Sequence, residues 1–228
     1  MIKNPKNIAI FSKFIFSIVV MLISISVKAS PVNLTITFAK NESWSEAEKK
    51  FIQQAGDLVF SRISRSDIAN CAYRNSFRDR LSKEELRKKW GTQIPVLNKN
   101  KNVSFIVHKK PLSKKVLGEA KVNTVSIDRD HYTIDNLEIS LNQETINQSV
   151  DAYSKKSNSE TILNQWVNVI AHELAHNFGY SHKSGGTWEQ NYPGFFVSEI
   201  AFCVMTDGKH GSDLGDTKKR SLWMKSLK

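Results

Sequence analysis

Cysteine is scarce: the chain has two among its 228 residues, which excludes a small scaffold held together by several disulfides. A mature segment of about 200 residues does not need one, because it buries enough surface for a compact domain with its own core. Beyond the N-terminal segment no stretch is apolar enough to cross a bilayer, and no cysteine lies near residue 29 to carry a lipid. A soluble product without stable membrane insertion is expected. Internal repeats and low-complexity linkers are missing too, which leaves one domain as the working arrangement. The short basic clusters at Lys109/Lys110 and Lys218/Lys219/Arg220 have no aromatic residues interleaved with them. Nucleic-acid binding by base stacking is thereby set aside.

What the chain does have begins at its start. Lysines at 3, 6 and 13 precede an apolar run from Phe14 to Val27, which closes on Val27, Lys28, Ala29. This reads as a secretory signal peptide over residues 1–29, cut after Ala29 because Pro31 disfavours cutting after Ser30. The run is shorter than the roughly 18 residues a spanning helix requires. Removing four lysines and no acids leaves 29 basic against 22 acidic residues, a net charge of +7. A basic exported protein meets anionic partners faster. In an oxidising compartment the two cysteines, Cys71 and Cys203, are expected to pair.

Periodicity then sets out the mature domain, 30–228. Val32, Leu34, Ile36 and Phe38 alternate with polar residues as in a half-buried strand. Ser43 with Glu46 matches a capping box, followed by Trp44, Ala47, Phe51, Ile52, Ala55, Leu58, Val59 and Ile63 at helical spacing. Ser82 with Glu85 opens a second helix, expected to stop near Gly91 with Pro95 beyond. Strands are expected at Val103–Val107, around Lys115–Ile127 with a break at Gly118, and through Leu137, Ile139 and Leu141, as neighbours in one sheet. A long helix begins near Thr161, with Ile162, Trp166, Val167, Ile170, Leu174 and Ala175 on one face up to Gly179. Irregular chain and a C-terminal helix over Asp216–Leu227 complete an α+β fold.

Residues 172–182 read His Glu Leu Ala His Asn Phe Gly Tyr Ser His. His172 and His176, four apart on a helix, present both imidazoles on one face. Gly179 sits where a glycine ends a helix in the left-handed conformation, letting the chain turn back and return His182 toward the same point. Three nitrogen ligands leave a fourth tetrahedral position open, the mark of a catalytic zinc site. Glu173, beside the first ligand, is placed to act as general base toward water at that position.

This pattern, HExxHxxGxxH, resembles the signature of the metzincin zinc metallopeptidases. Cys203, Val204, Met205, Thr206, Asp207 and Gly208 look like the family's downstream turn, with Met205 as its methionine. The stretches HNFG at 176–179 and Cys-Val-Met at 203–205 are most similar to the adamalysin-like, or reprolysin, group. Lys183 stands where adamalysins usually carry aspartate, and Asp207 where astacins and serralysins carry tyrosine.

The resemblance implies an upper subdomain at 30–180 and a small irregular lower one at 181–228. It also implies a twisted, mostly parallel sheet with an antiparallel edge strand that binds extended substrate, for which Gly118, Glu119 and Ala120 are the candidates. The activity implied is that of a secreted or periplasmic zinc metalloendopeptidase, monomeric, acting on protein or peptide substrates. Lys183–Phe202 and the residues after Met205 would shape the pocket. Two rivals stay open: a module whose zinc is only structural, against which Glu173 argues, and an enzyme that cuts cell-wall peptide.

The remaining features have ordinary readings. His108, His131 and His210 lack ligand spacing and are read as surface residues. Asp207, Asp213 and Asp216 match no calcium loop and are read as a solvated loop. The N-x-Ser/Thr triplets at Asn33, Asn41, Asn102 and Asn147 are no more than a chain rich in these residues produces.

Overall fold

The computed structural model describes residues 32, 34–99, 103–113, 116–121, 125–128, 131–134, 136–155, 158–182 and 194–209. The segment 1–29 read as a signal peptide, the expected helix at 216–227, His210, Asp213, Asp216, Asn33, Asn102 and most of the loop after His182 lie outside them. The described residues form an α+β fold of six strands and six helices. The strands are β1 (Thr35–Phe38), β2 (Ser104–Lys110), β3 (Gly118–Ala120), β4 (Val125–Asp128), β5 (His131–Ile134) and β6 (Leu137–Asn142). The helices are α1 (Glu46–Arg62), α2 (Ser66–Asn75), α3 (Lys83–Lys99), α4 (Gln143–Ser154), α5 (Ser159–Asn177) and α6 (Phe196–Met205).

The main sheet has the order β1-β2-β6-β3. β1, β2 and β6 run parallel, with Phe38 beside Val107 and Val107 beside Ile139. β3 is antiparallel to β6, Gly118 lying opposite Leu141. Phe105, Val107, Leu137, Ile139 and Leu141 are buried, as the alternation requires. The stretch expected as one strand over Lys115–Ile127 is divided between two sheets, because β4 pairs only with β5 in a separate antiparallel ribbon.

Helix ends depart from expectation for physical reasons. The chain offers two overlapping S-x-x-E patterns, and the capping box forms at Ser45 and Glu48 instead of Ser43 and Glu46. Ser45 N–H donates to Glu48 Oε2 at 2.6 Å, and Glu48 N–H to Ser45 Oγ at 3.2 Å. This register brings Glu48 to Lys109 Nζ at 3.0 Å, an ion pair the other register would forgo.

The Ser82–Glu85 box forms as expected, but its helix runs on through Gly91 and Pro95 to Lys99. A proline inside a helix costs about 3 kcal/mol. Leu86, Trp90, Ile94 and Leu97 continue the buried stripe, and each such side chain contributes roughly 1.5–3 kcal/mol. The stripe therefore outweighs the proline.

Helices α4 and α6 fall where no helix was expected. In α6 every residue from Phe196 to Met205 is buried, so no amphipathic period exists to be seen. α6 lies against α5 and α2, and Cys203 is joined to Cys71 of α2 by a disulfide with a Cα separation of 6.0 Å, as the pairing expectation held.

Candidate metal centre

Helix α5 presents the two histidines from its last turns, and its end is built to return the third. Gly179 has φ +77°, a conformation in which any Cβ is strained. Gly179 N–H donates to His176 O at 2.9 Å and Tyr180 N–H to Ala175 O at 3.2 Å. These two bonds make a Schellman motif, which satisfies the last helical carbonyls while reversing the chain.

His182 thus meets His172 and His176: one ligand nitrogen from each lies within 4.8 Å of the others. Ring centroids are 4.8, 5.3 and 5.0 Å apart for the pairs 172/176, 172/182 and 176/182. The Nε2 atoms of His172 and His176 are 3.2 Å apart. Nitrogens about 2.0–2.1 Å from a tetrahedral ion would sit roughly 3.4 Å from each other, so this pair already has the spacing a metal demands.

Tautomer and charge suit the same purpose. His176 Nδ1 lies 2.7 Å from Tyr180 O, a carbonyl that can only accept. Nδ1 therefore carries the proton and Nε2 presents its lone pair inward. Burial holds His172 well below its usual pKa, with His176 and His182 adding to the effect. Burial likewise lowers His176, against the opposing pull of the Tyr180 carbonyl. Both rings are thereby kept in the neutral form that binds metal. Three imidazoles in this arrangement are positioned to hold a metal ion.

Glu173 is 7 % exposed, and burial, then the nearby Glu119 carboxylate, pushes its pKa up to about 8. Strand β3 passes directly beside it. A Cβ on Gly118 would stand 2.9 Å from Glu173 Cγ, 3.1 Å from its Oε1 and 3.0 Å from Val169 Cγ1. Only glycine lets the antiparallel edge strand come this near to that carboxyl group.

Several residues that hold this geometry carry no motif. Asn177, fully buried, accepts from Glu138 N–H at 2.9 Å and donates to Glu138 O at 3.2 Å, locking α5 to β6. From α3, Gln93 Nε2 donates to Phe178 O at 2.9 Å and Lys89 Nζ to Gly179 O at 3.2 Å. Trp90 meets Phe178, Tyr180 and Phe196 edge to face at 5.7, 5.6 and 5.3 Å. Sequence could flag these only as helix residues, since their partners are 39 to 106 positions away.

Met205 is the last residue of α6, buried, and a second Schellman turn follows it. Gly208 N–H donates to Cys203 O at 2.8 Å and Asp207 N–H to Val204 O at 3.3 Å, with Asp207 at φ 54° and Gly208 at φ 79°. Arg62 Nη1 donates to Val204 O at 3.0 Å, and both Arg62 and Arg65 pair with Asp207. Asp207 is thus an anchor for the turn, where a solvated loop was expected. His108 stands apart from the triad, its Nδ1 2.9 Å from Glu42 Oε1, and His131 falls within β5.

Two cavities adjoin these elements. One of about 250 Å³ is lined by Glu119, Ala120, Glu138 and Ser140. The other, about 530 Å³, borders Gly179, Tyr180, Ser181 and His182. No protein-family model, curated protein or solved structure matches the chain.

Proposed function

We propose that this protein is an exported zinc-dependent endopeptidase of the metzincin kind, hydrolysing peptide bonds in protein or peptide substrates with Glu173 as general base. The observation that carries the reading is the convergence of His172, His176 and His182 beside a buried carboxylate that faces a sheet edge. Zinc held by three imidazoles would acidify water and polarise a carbonyl. The rest falls to the chain.

His176 keeps its proton on Nδ1 through Tyr180 O, which aims Nε2 at the metal position. Glu173 accepts a proton at a carboxylate oxygen as water attacks the peptide carbon, then delivers it to the leaving nitrogen. β3, whose one partner among the described residues is β6, has an outer edge along which an extended peptide can add as a further strand. Export is favoured by the signal-like residues 1–29 and by the disulfide, since such bonds persist in oxidising compartments.

Purified wild type, Glu173→Ala and His176→Ala should be compared by metal analysis and by cleavage of a quenched peptide library. Wild type should bind one zinc per chain and cut peptides. Glu173→Ala should keep its zinc and lose at least about 100-fold in rate, whereas His176→Ala should lose both. Undiminished cleavage by Glu173→Ala, or zinc without any cleavage in the wild type, would favour a purely structural metal.

A further inference from the structure

The loop between α2 and α3 is tied down along its length, yet it holds its apolar side chains outward. Phe77 N–H and Arg78 N–H both donate to Gly194 O at 2.9 Å. Asp79 Oδ2 accepts from Phe196 N–H at 2.7 Å, and Ser82 N–H donates to Glu85 Oε2 at 2.7 Å. Between these ties Phe77 is 69 % exposed and Leu81 39 %, and among the described residues no other large hydrophobic side chain is exposed. Their surroundings are basic: residues 74–89 carry seven lysines and arginines against three acids. The undescribed stretch 183–193, which runs into Gly194, adds one lysine and one glutamate and so leaves that balance as it is. Arg78 is engaged over the Phe77 ring, 5.7 Å from its centroid. Arg74, Arg80 and Lys83 are exposed, and none of them forms an ion pair among the described residues.

We propose that this loop docks the protein peripherally onto an anionic lipid surface, with Phe77 and Leu81 entering the headgroup layer while Arg74, Arg80 and Lys83 meet lipid phosphates. A single weak anchor holds a protein to a bilayer only marginally, whereas an apolar anchor joined to a basic patch gives stable attachment. Each basic side chain close to an anionic surface strengthens binding about fivefold, and apolar area withdrawn from water adds to it. A protein partner is a poorer match, because the core of a protein interface is depleted of charge, and here two apolar side chains stand among cations. Spanning is not involved, since no helix of the described residues is long and apolar enough to cross a membrane. The ties to Gly194 and Phe196 leave little backbone freedom to be lost on docking. Arg80 and Leu81 also line the cavity that borders His182, so the lipid surface would lie beside the candidate metal centre. Docking of this kind does not depend on the peptidase reading.

The test is co-sedimentation of the full mature chain with vesicles of phosphatidylcholine alone and of phosphatidylcholine mixed with phosphatidylglycerol, with sedimentation velocity on the protein by itself. Wild type should bind the mixed vesicles and leave the neutral ones. Phe77→Ser/Leu81→Ser keeps every charge and should weaken binding about tenfold or more, while Phe77→Trp should retain it, since tryptophan suits the membrane interface. Arg74→Glu/Arg80→Glu should weaken it at least about 25-fold. Lys40→Glu/Lys50→Glu, the same change of charge at exposed positions in the β1–α1 region, should bind as wild type does. All of these side chains are exposed, so unfolding midpoints should stay close to that of the wild type. No binding to the mixed vesicles would overturn the proposal. So would equal losses in the two charge-reversed variants, which would reduce the effect to overall charge, or a wild-type dimer that Phe77→Ser/Leu81→Ser dissolves, which would make a second copy the occupant.

Discussion

Helices α5 and α6 lie against each other and end in the same Schellman turn, yet the two turns do opposite work. After α5 a glycine holds the left-handed position and the chain is released toward His182. After α6 a non-glycine residue, Asp207, takes that position, and Arg62 and Arg65 tie it down while Cys203 is bonded to α2. One backbone solution thus serves delivery at the first site and anchorage at the second. The difference lies in what surrounds each turn: side-chain donors from α3 to the turn's carbonyls at the first, ion pairs and a disulfide at the second.

Breaking the anchor should have the largest effect. The Cys71–Cys203 bond spans 132 residues, and in the chain-entropy account closing such a loop contributes up to about 5 kcal/mol. Cys71→Ser/Cys203→Ser should therefore lose several kcal/mol in urea unfolding, and reduction of the wild type should lose a similar amount. An unchanged unfolding midpoint would mean that α2 and α6 are held by packing alone.

The turns themselves should respond asymmetrically. Gly179→Ala meets no steric neighbour closer than Lys89 Nζ at 3.8 Å, so its cost is that of an alanine in the left-handed region, about 1–2 kcal/mol. Zinc affinity should weaken with it, because His176 and His182 depend on that turn. Asp207→Gly relieves left-handed strain but removes two half-exposed ion pairs, to Arg62 and Arg65, each worth about 0–1 kcal/mol. The net change should stay within about 1 kcal/mol, with zinc affinity unmoved. Denaturant unfolding and competitive zinc titration on both variants would check the contrast, and equal effects on zinc would erase it.

The same contrast explains what could be read from sequence. The triad, Gly179 and the end of α5 are legible because ligand spacing and helix termination act within eleven residues. The cysteine pair is legible because two cysteines leave one choice. α6 is not, since a helix buried on every side has no periodicity, and its buried Glu199 finds its acceptor role only with Gly194 N–H in place. Asn177, Gln93 and Lys89 are silent for another reason: each is defined by a backbone partner remote in the chain. The register of α1 was ambiguous in principle, because two serines each had a glutamate three residues on, and Lys109 decides between them.

The central claim is an open three-histidine zinc site, and X-ray absorption at the zinc edge tests it most directly. One zinc per chain should show three imidazole nitrogens at about 2.0–2.1 Å with the remaining scatterer a light atom from solvent, and His182→Ala should reduce the imidazole count to two. A fourth protein ligand, a sulfur in the shell, or a spectrum unaltered by His182→Ala would contradict the account.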